Sequence, residues 1–225
     1  MARTGTNKPP KLKPIKDTAE DRAQDKERQI LDAAVRVFAR KGFHGCRVSD
    51  IAREAGVAYG LVYHYFTNKD EILSSIFQRN WNVVVRMMEA VEDQHQTLRA
   101  RLTAIIDFMV NVYKISPETV EVLVLEFGRS SRLAQTVRHP TLDKSWSVLQ
   151  RMFEAGLKTG EVRDDMEPRV LTALFLGLVE SGMAAFVTRL FHRDDAALDE
   201  MRRVVITTFL DGIAPRTSQS ARAAG

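Results

Sequence analysis

Apolar residues recur along this 225-residue chain with a helical rather than a strand period. Ile30, Ala34 and Phe38 stand at i, i+4 and i+8, with Leu31, Val35 and Val37 beside them. This predicts a helix from about Arg22 to Lys41, ended by Gly42. Two short helices follow, at roughly 48–55 and 59–65. Ile51, Ala52 and Ala55 form the apolar face of the first, and Val57, Leu61 and Val62 that of the second. Gly56 lies at the turn between them. A helix-turn-helix requires this pattern: small residues where helices cross, glycine where the backbone turns, and a second helix free to enter a groove. Tyr59, Gly60, Tyr63 and His64 open that second helix and can meet bases and phosphates. Asn68 is placed to cap the next helix, with Asp70 and Glu71 in its first turn, where negative charge suits the helix dipole.

The rest reads as helix after helix. Ile72, Leu73, Ile76, Trp81, Val84 and Met88 mark a helix from Lys69 to about Glu92, long enough to join two domains. Leu98 to Lys114 forms another, and Ser116-Pro117 opens the next as an N-cap followed by proline at the first helical position. Pro140 and Pro168 open two more, the first stopped near Gly160. Asp194 or Asp195 caps the last, which runs to about Gly212. The expected fold is all-α with about nine helices. A disordered basic arm (1–21) precedes a helix-turn-helix domain (22–68), a larger helical domain (69–213) and a disordered tail (214–225).

Charge sharpens this division. The net charge of +4 is modest. Residues 1–70 hold 14 Lys/Arg against 9 Asp/Glu, so the positive excess lies with the helix-turn-helix. That is the expected footprint of phosphate binding. A single cysteine, Cys46, excludes an internal disulfide framework and suits a reducing, cytoplasmic setting. No uninterrupted apolar run approaches the length needed to span a bilayer, and the basic, proline-rich start is no secretory signal. No membrane partner is expected.

Catalytic patterns are missing from the sequence. The histidines at 44, 64, 95, 139 and 192 form no i, i+3 or i+4 pair, and there is no Cys-x-x-Cys. No Gly-rich phosphate loop or G-x-S-x-G occurs. No enzyme, catalytic residue, metal site or cofactor is expected. Glu126 and Glu180 stand out as carboxylates on apolar helices, suited either to a salt bridge or to orienting a ligand.

Several stretches carry a resemblance. Gly42-Phe43, Val48-x-x-Ile51-Ala52-x-x-Ala55-Gly56-Val57 and Tyr63-x-Tyr65-Phe66-x-x-Lys69 resemble the N-terminal signature of TetR-family regulators. The resemblance covers roughly residues 25–75. It implies a homodimer that binds double-stranded DNA at an inverted-repeat operator. It also implies major-groove positions at Ser49, Tyr59, Gly60, Leu61 and His64, and phosphate contacts at Tyr63, Lys69 and, more loosely, Arg47 and Tyr65. No Arg, Asn or Gln within 57–66 offers bidentate base recognition, so specificity rests partly on Ser49, Arg53, His64 and DNA shape. Farther on, Leu125–Ser131 and Gly156–Arg163 resemble the fatty-acid-responsive, FadR-type branch. That branch implies repression of fatty-acid degradation genes and release from DNA by long-chain acyl-CoA.

The larger domain is rich in Met and aromatic residues. Trp81, Phe108, Met109, Val112, Leu123, Phe127, Trp146, Phe153 and Phe175 are candidates to line a cavity for an apolar effector, alongside the simpler reading of an ordinary core. Small residues at Gly177, Ser181, Gly182, Ala184 and Ala185 permit close helix approach, in packing within the chain and, as the TetR-family resemblance implies, in a four-helix dimer interface. The expected function is ligand-controlled repression, with long-chain acyl-CoA as effector. The alternatives are a regulator of an efflux or other metabolic operon with a different apolar ligand, and a ligand-free, architectural DNA binder.

Overall fold

A computed structural model describes residues 19–124 and 140–215. Nine helical segments make up the described residues, and no strand occurs among them. They are α1 (Ala19–Lys41), α2 (Val48–Ala55), α3 (Tyr59–Tyr65), α4 (Lys69–Gln94), α5 (Leu98–Ile115), α6 (residues 117–124), α7 (Pro140–Lys158), α8 (Pro168–Val187) and α9 (Asp195–Ile213). The first helix begins three residues before the expected Arg22, because Glu20 and Asp21 supply negative charge to its first turn. The remainder of the expected arm and most of the expected tail lie outside the described residues.

The helix boundaries follow local chemistry. Gly56 sits in the left-handed region at φ 63°, where a side chain would be strained, and ends α2. Asn68 accepts from the Glu71 amide at 2.8 Å, Thr97 from Ala100 at 3.2 Å and Asp194 from Ala197 at 2.8 Å. Such caps contribute about 1 kcal/mol each.

Two apolar cores result. The first is built from Ile30, Ala34, Phe38, Ile51, Ala52, Val62 and Phe66, and it continues into α4 through Ile72, Leu73 and Ile76. Packing therefore carries the helix-turn-helix unit past the expected boundary at residue 68. Val122 of α6 is buried in this same core. The second core spans α4–α9, with Met88, Leu102, Val120, Met152, Phe153, Phe175 and Phe186 among its buried residues. Burying each such side chain contributes roughly 1.5–3 kcal/mol.

The Gly156–Arg163 stretch has a structural task. A Cβ at Gly156 would stand 2.7 Å from a Leu98 methyl and 3.1 Å from a Val162 methyl, so a larger residue would have to push these side chains aside. The Glu161 carboxylate accepts from the Leu98 amide at 2.8 Å, and the Arg163 amide donates to the Ile213 carbonyl at 3.0 Å. The turn thus fastens the start of α5 and the end of α9 to α7.

By length and composition alone, α8 is apolar enough to cross a membrane. Here its inner face, with Leu171, Phe175, Met183 and Phe186, fills the second core. Its outer face exposes Val170, Leu174 and Ser181. Ala185 and Gly182 face inward instead: Ala185 is buried, and a Cβ at Gly182 would meet the Met201 sulfur at 3.1 Å. The small residues thus divide between the exposed face and close packing within the chain.

Candidate nucleic-acid interface and ligand cavity

The helix-turn-helix is held from behind by α1. Arg36 and Arg40 donate to Glu54 at 2.8 and 2.9 Å, and Gln29 donates to the Ala55 carbonyl at 2.6 Å. Lys41 reaches Asp50 at 2.9 Å, and Asp50 also accepts from the Arg47 amide at 3.0 Å. These bonds hold the Glu54 and Asp50 carboxyls below the usual carboxylate range. α2 is thereby fixed on α1, and its outer face is left to solvent.

That outer face carries the expected DNA-contacting residues. Arg47, Ser49, Arg53, Tyr59, Gly60, Tyr63 and His64 are exposed, and Leu61 is half-buried. Arg53 reaches only a 3.4 Å contact with Asp50 and keeps most of its guanidinium in water. Tyr59 and Tyr63 form a pair, with rings 5.0 Å apart edge to face and hydroxyls 3.1 Å apart. Two exposed aromatic side chains thus stand together on α3, whose buried residue is Val62. At Gly60 no atom lies within 4 Å of where a Cβ would stand. No internal contact requires glycine there.

Lys69 is placed differently. Its ammonium donates to the carbonyls of Phe43 at 2.8 Å and Cys46 at 3.3 Å, and it lies 4.6 Å from the centre of the Phe43 ring. It clamps the turn between α1 and α2, with two of its three N–H donors committed to these carbonyls. Beneath it the Cys46 thiol is buried, which pushes its pKa up and makes it a packing residue.

In the larger domain a cavity of about 150 Å³ is walled by α4, α5, α6, α7 and α8. Trp81, Phe108, Met109, Val112, Leu123 and Phe175 line it, as expected from the sequence. Phe127 lies outside the described residues. Phe153 and Trp146 do not line it. Phe153 is fully buried behind the wall, 6.3 Å from Phe175 and 6.1 Å from Phe209. The cavity touches α7 through Leu149 alone, so residues a turn away on either side of it miss the space. Sequence reading did not place Asn80, Val83, Ile105, Val120, Val124, Leu176 or Val179 at the wall. Their apolar period is that of any core, and nothing in it marks which turn meets a void. Glu180 also lines the cavity, and its isolation on an apolar helix was the signal for it. Among the described residues, no group of His, Cys, Asp or Glu is arranged to hold a metal ion.

An all-α chain with a three-helix DNA-reading unit and a cavity-bearing helical domain defines the class of ligand-responsive transcriptional regulators. Residues 30–76 match the model of bacterial regulatory proteins of the tetR family, which is the span of the first core from Ile30 to Ile76. The repressor NicS of Pseudomonas putida is 30% identical over 153 residues, covering 65% of this chain and 68% of that one. The fatty acid metabolism regulator protein of Bacillus subtilis is 28% identical over 159 residues, covering 71% of this chain and 82% of that one. A solved structure of FadR from Bacillus subtilis, in complex with stearoyl-CoA, superposes with a TM-score of 0.74 at 28% identity, covering 83% of this chain and 98% of that one. The chain belongs to the TetR family: it is a DNA-binding transcriptional regulator that acts as a dimer and resembles FadR-type regulators of fatty acid metabolism.

Proposed function

We propose that this protein is a cytoplasmic repressor of fatty-acid metabolism genes that leaves its operator when a long-chain acyl-CoA enters the cavity. The observation that carries this reading is that two helices belong to both the cavity wall and the DNA-binding core. α4 places Ile72, Leu73 and Ile76 in the first core and Trp81, Val84 and Met88 at the cavity. Phe77 stacks on Trp81 at 5.4 Å, linking the two ends. α6 places Val122 in the first core and Val120, Leu123 and Val124 at the cavity. Arg79 of α4 also pairs with Asp32 of α1 at 2.7 Å. A chain that displaces Trp81 or Leu123 therefore moves helices that help set the spacing of the two α3 helices in a dimer.

In this reading Arg47, Ser49, Arg53, Tyr59, Gly60, Leu61, Tyr63 and His64 meet DNA, with Lys69 holding their platform. The working domains are 22–68 and 69–213, with the first two turns of α4 packed into the former. The acyl chain enters the apolar space and the CoA head stays outside. Arg86, Arg129 and Arg132 are candidate partners for that head by their charge; Arg86 is exposed on α4, and the other two lie outside the described residues. Each buried methylene contributes about 0.8 kcal/mol, so affinity climbs with chain length until the cavity is filled. Titrating an operator complex with acyl-CoAs of increasing length, with free CoA and detergent as controls, tests this. Long chains release DNA and free CoA does not; equal effects of the two would refute the acyl-CoA reading. Release by an unrelated apolar compound alone would favour a regulator of another metabolic or efflux operon.

A further inference from the structure

Among the cavity's lining residues, polar side-chain groups come from Asn80, Glu180 and the Trp81 indole. The indole N–H is committed to Ser145 Oγ at 3.3 Å. Asn80 commits its amide N–H to the Ile76 carbonyl at 2.8 Å, which leaves its side-chain oxygen as an acceptor. Glu180 stands half-buried on α8 between Val179 and Met183 and pairs with no described residue. Burial pushes its carboxyl above the usual range, and no cation among the described residues offsets this. A plain methylene chain laid along this wall would leave the carboxylate without a partner and remove more of its water. Desolvating an unpaired charge is costly, whereas a donor on the ligand would turn that cost into a charge-assisted hydrogen bond.

We propose that Glu180, aided by the Asn80 side-chain oxygen, is a specificity determinant that selects an apolar ligand bearing a hydrogen-bond donor, a hydroxyl or an amine, over the same chain without one. This rests on the reading of the cavity as the effector site and narrows its ligand class. A site built to bond a donor discriminates against the analogue that lacks it far more strongly than an apolar wall discriminates a methylene.

Small probes matched in size test the proposal without CoA. Hexanol, hexylamine and methyl pentyl ether differ in donor capacity, since the ether has an oxygen but no donor. Trp81 fluorescence reports binding in a Trp146→Phe background, because Trp81 lines the cavity and Trp146 does not. Hexanol or hexylamine should bind roughly tenfold more tightly than the ether. Glu180→Leu should abolish the preference, and Glu180→Gln should keep it for the alcohol but not for the amine if the parent favours both. Equal binding of all three, a preference that survives in Glu180→Leu, or no binding of any probe would overturn the proposal. A donor preference lost in Glu180→Leu, with no release of DNA by any acyl-CoA, would uphold this role for Glu180 and sink the acyl-CoA reading instead.

Discussion

The ammonium of Lys69 holds the α1–α2 turn through two carbonyls and a ring face. Lys69→Ala should therefore lower the thermal midpoint, at a cost of about 1.5–3 kcal/mol for hydrogen bonds made by a charged group. His64→Ala and Tyr59→Ala should leave the midpoint nearly unchanged and alter preference among operator variants. Differential scanning fluorimetry beside gel shifts on an operator panel separates the two behaviours; an unchanged midpoint for Lys69→Ala would contradict the clamp. Spacing placed Lys69 at the start of α4, but the carbonyls it would find depended on where the preceding turn came to rest. Glu54 gives a pH test. Bonds from Arg36 and Arg40 hold its carboxyl below its ordinary 4.5, so its contribution is full above that value and lost as pH falls below it. Glu54→Gln should lower the midpoint at neutral pH and flatten its decline below about pH 4.5; an unaltered acid limb would show that these pairs contribute nothing.

Helix phase was legible wherever a helix had one polar face. For α2 and α3 the apolar stripe and the exposed residues separated cleanly, so the solvent-facing residues were read directly from sequence. α8 has no such contrast, since it is apolar nearly all round. Its small residues indicated close approach but not which of them face outward. Val205 of α9 and Ala185 of α8 stand in sequence as equal candidates for an interface, yet both are buried inside the chain. The outward residues are Val170, Leu174 and Val204. Leu174→Asp or Val204→Asp should give a folded monomer in sedimentation experiments, with DNA binding lost together with the dimer. Val205→Asp should instead unfold the larger domain, because an unpaired charge in the core costs several kcal/mol. A Leu174→Asp protein that stays dimeric would place the interface elsewhere. Trp146 and Phe153 illustrate a different limit. The period of α7 gives the direction of a side chain, but not its height along the helix relative to a cavity built by four other elements.

At the scale of the whole molecule, sequence showed two domains and a long helix between them, but not that α6 also reaches both cores. Val122 is one valine among several on that helix, and only packing shows that it sits apart from Val120 and Leu123. Val122→Ala should weaken the link between the sites while leaving ligand affinity of the free protein nearly intact. The central claim is that cavity and operator share one energetic coupling, and by linkage such a coupling acts equally in both directions. Calorimetric titration of palmitoyl-CoA into the free protein and into its operator complex measures this directly. The account predicts an affinity about 5–150-fold weaker in the complex, matched by the same factor in operator affinity when the ligand is saturating. Equal affinity for the free and DNA-bound protein would contradict it.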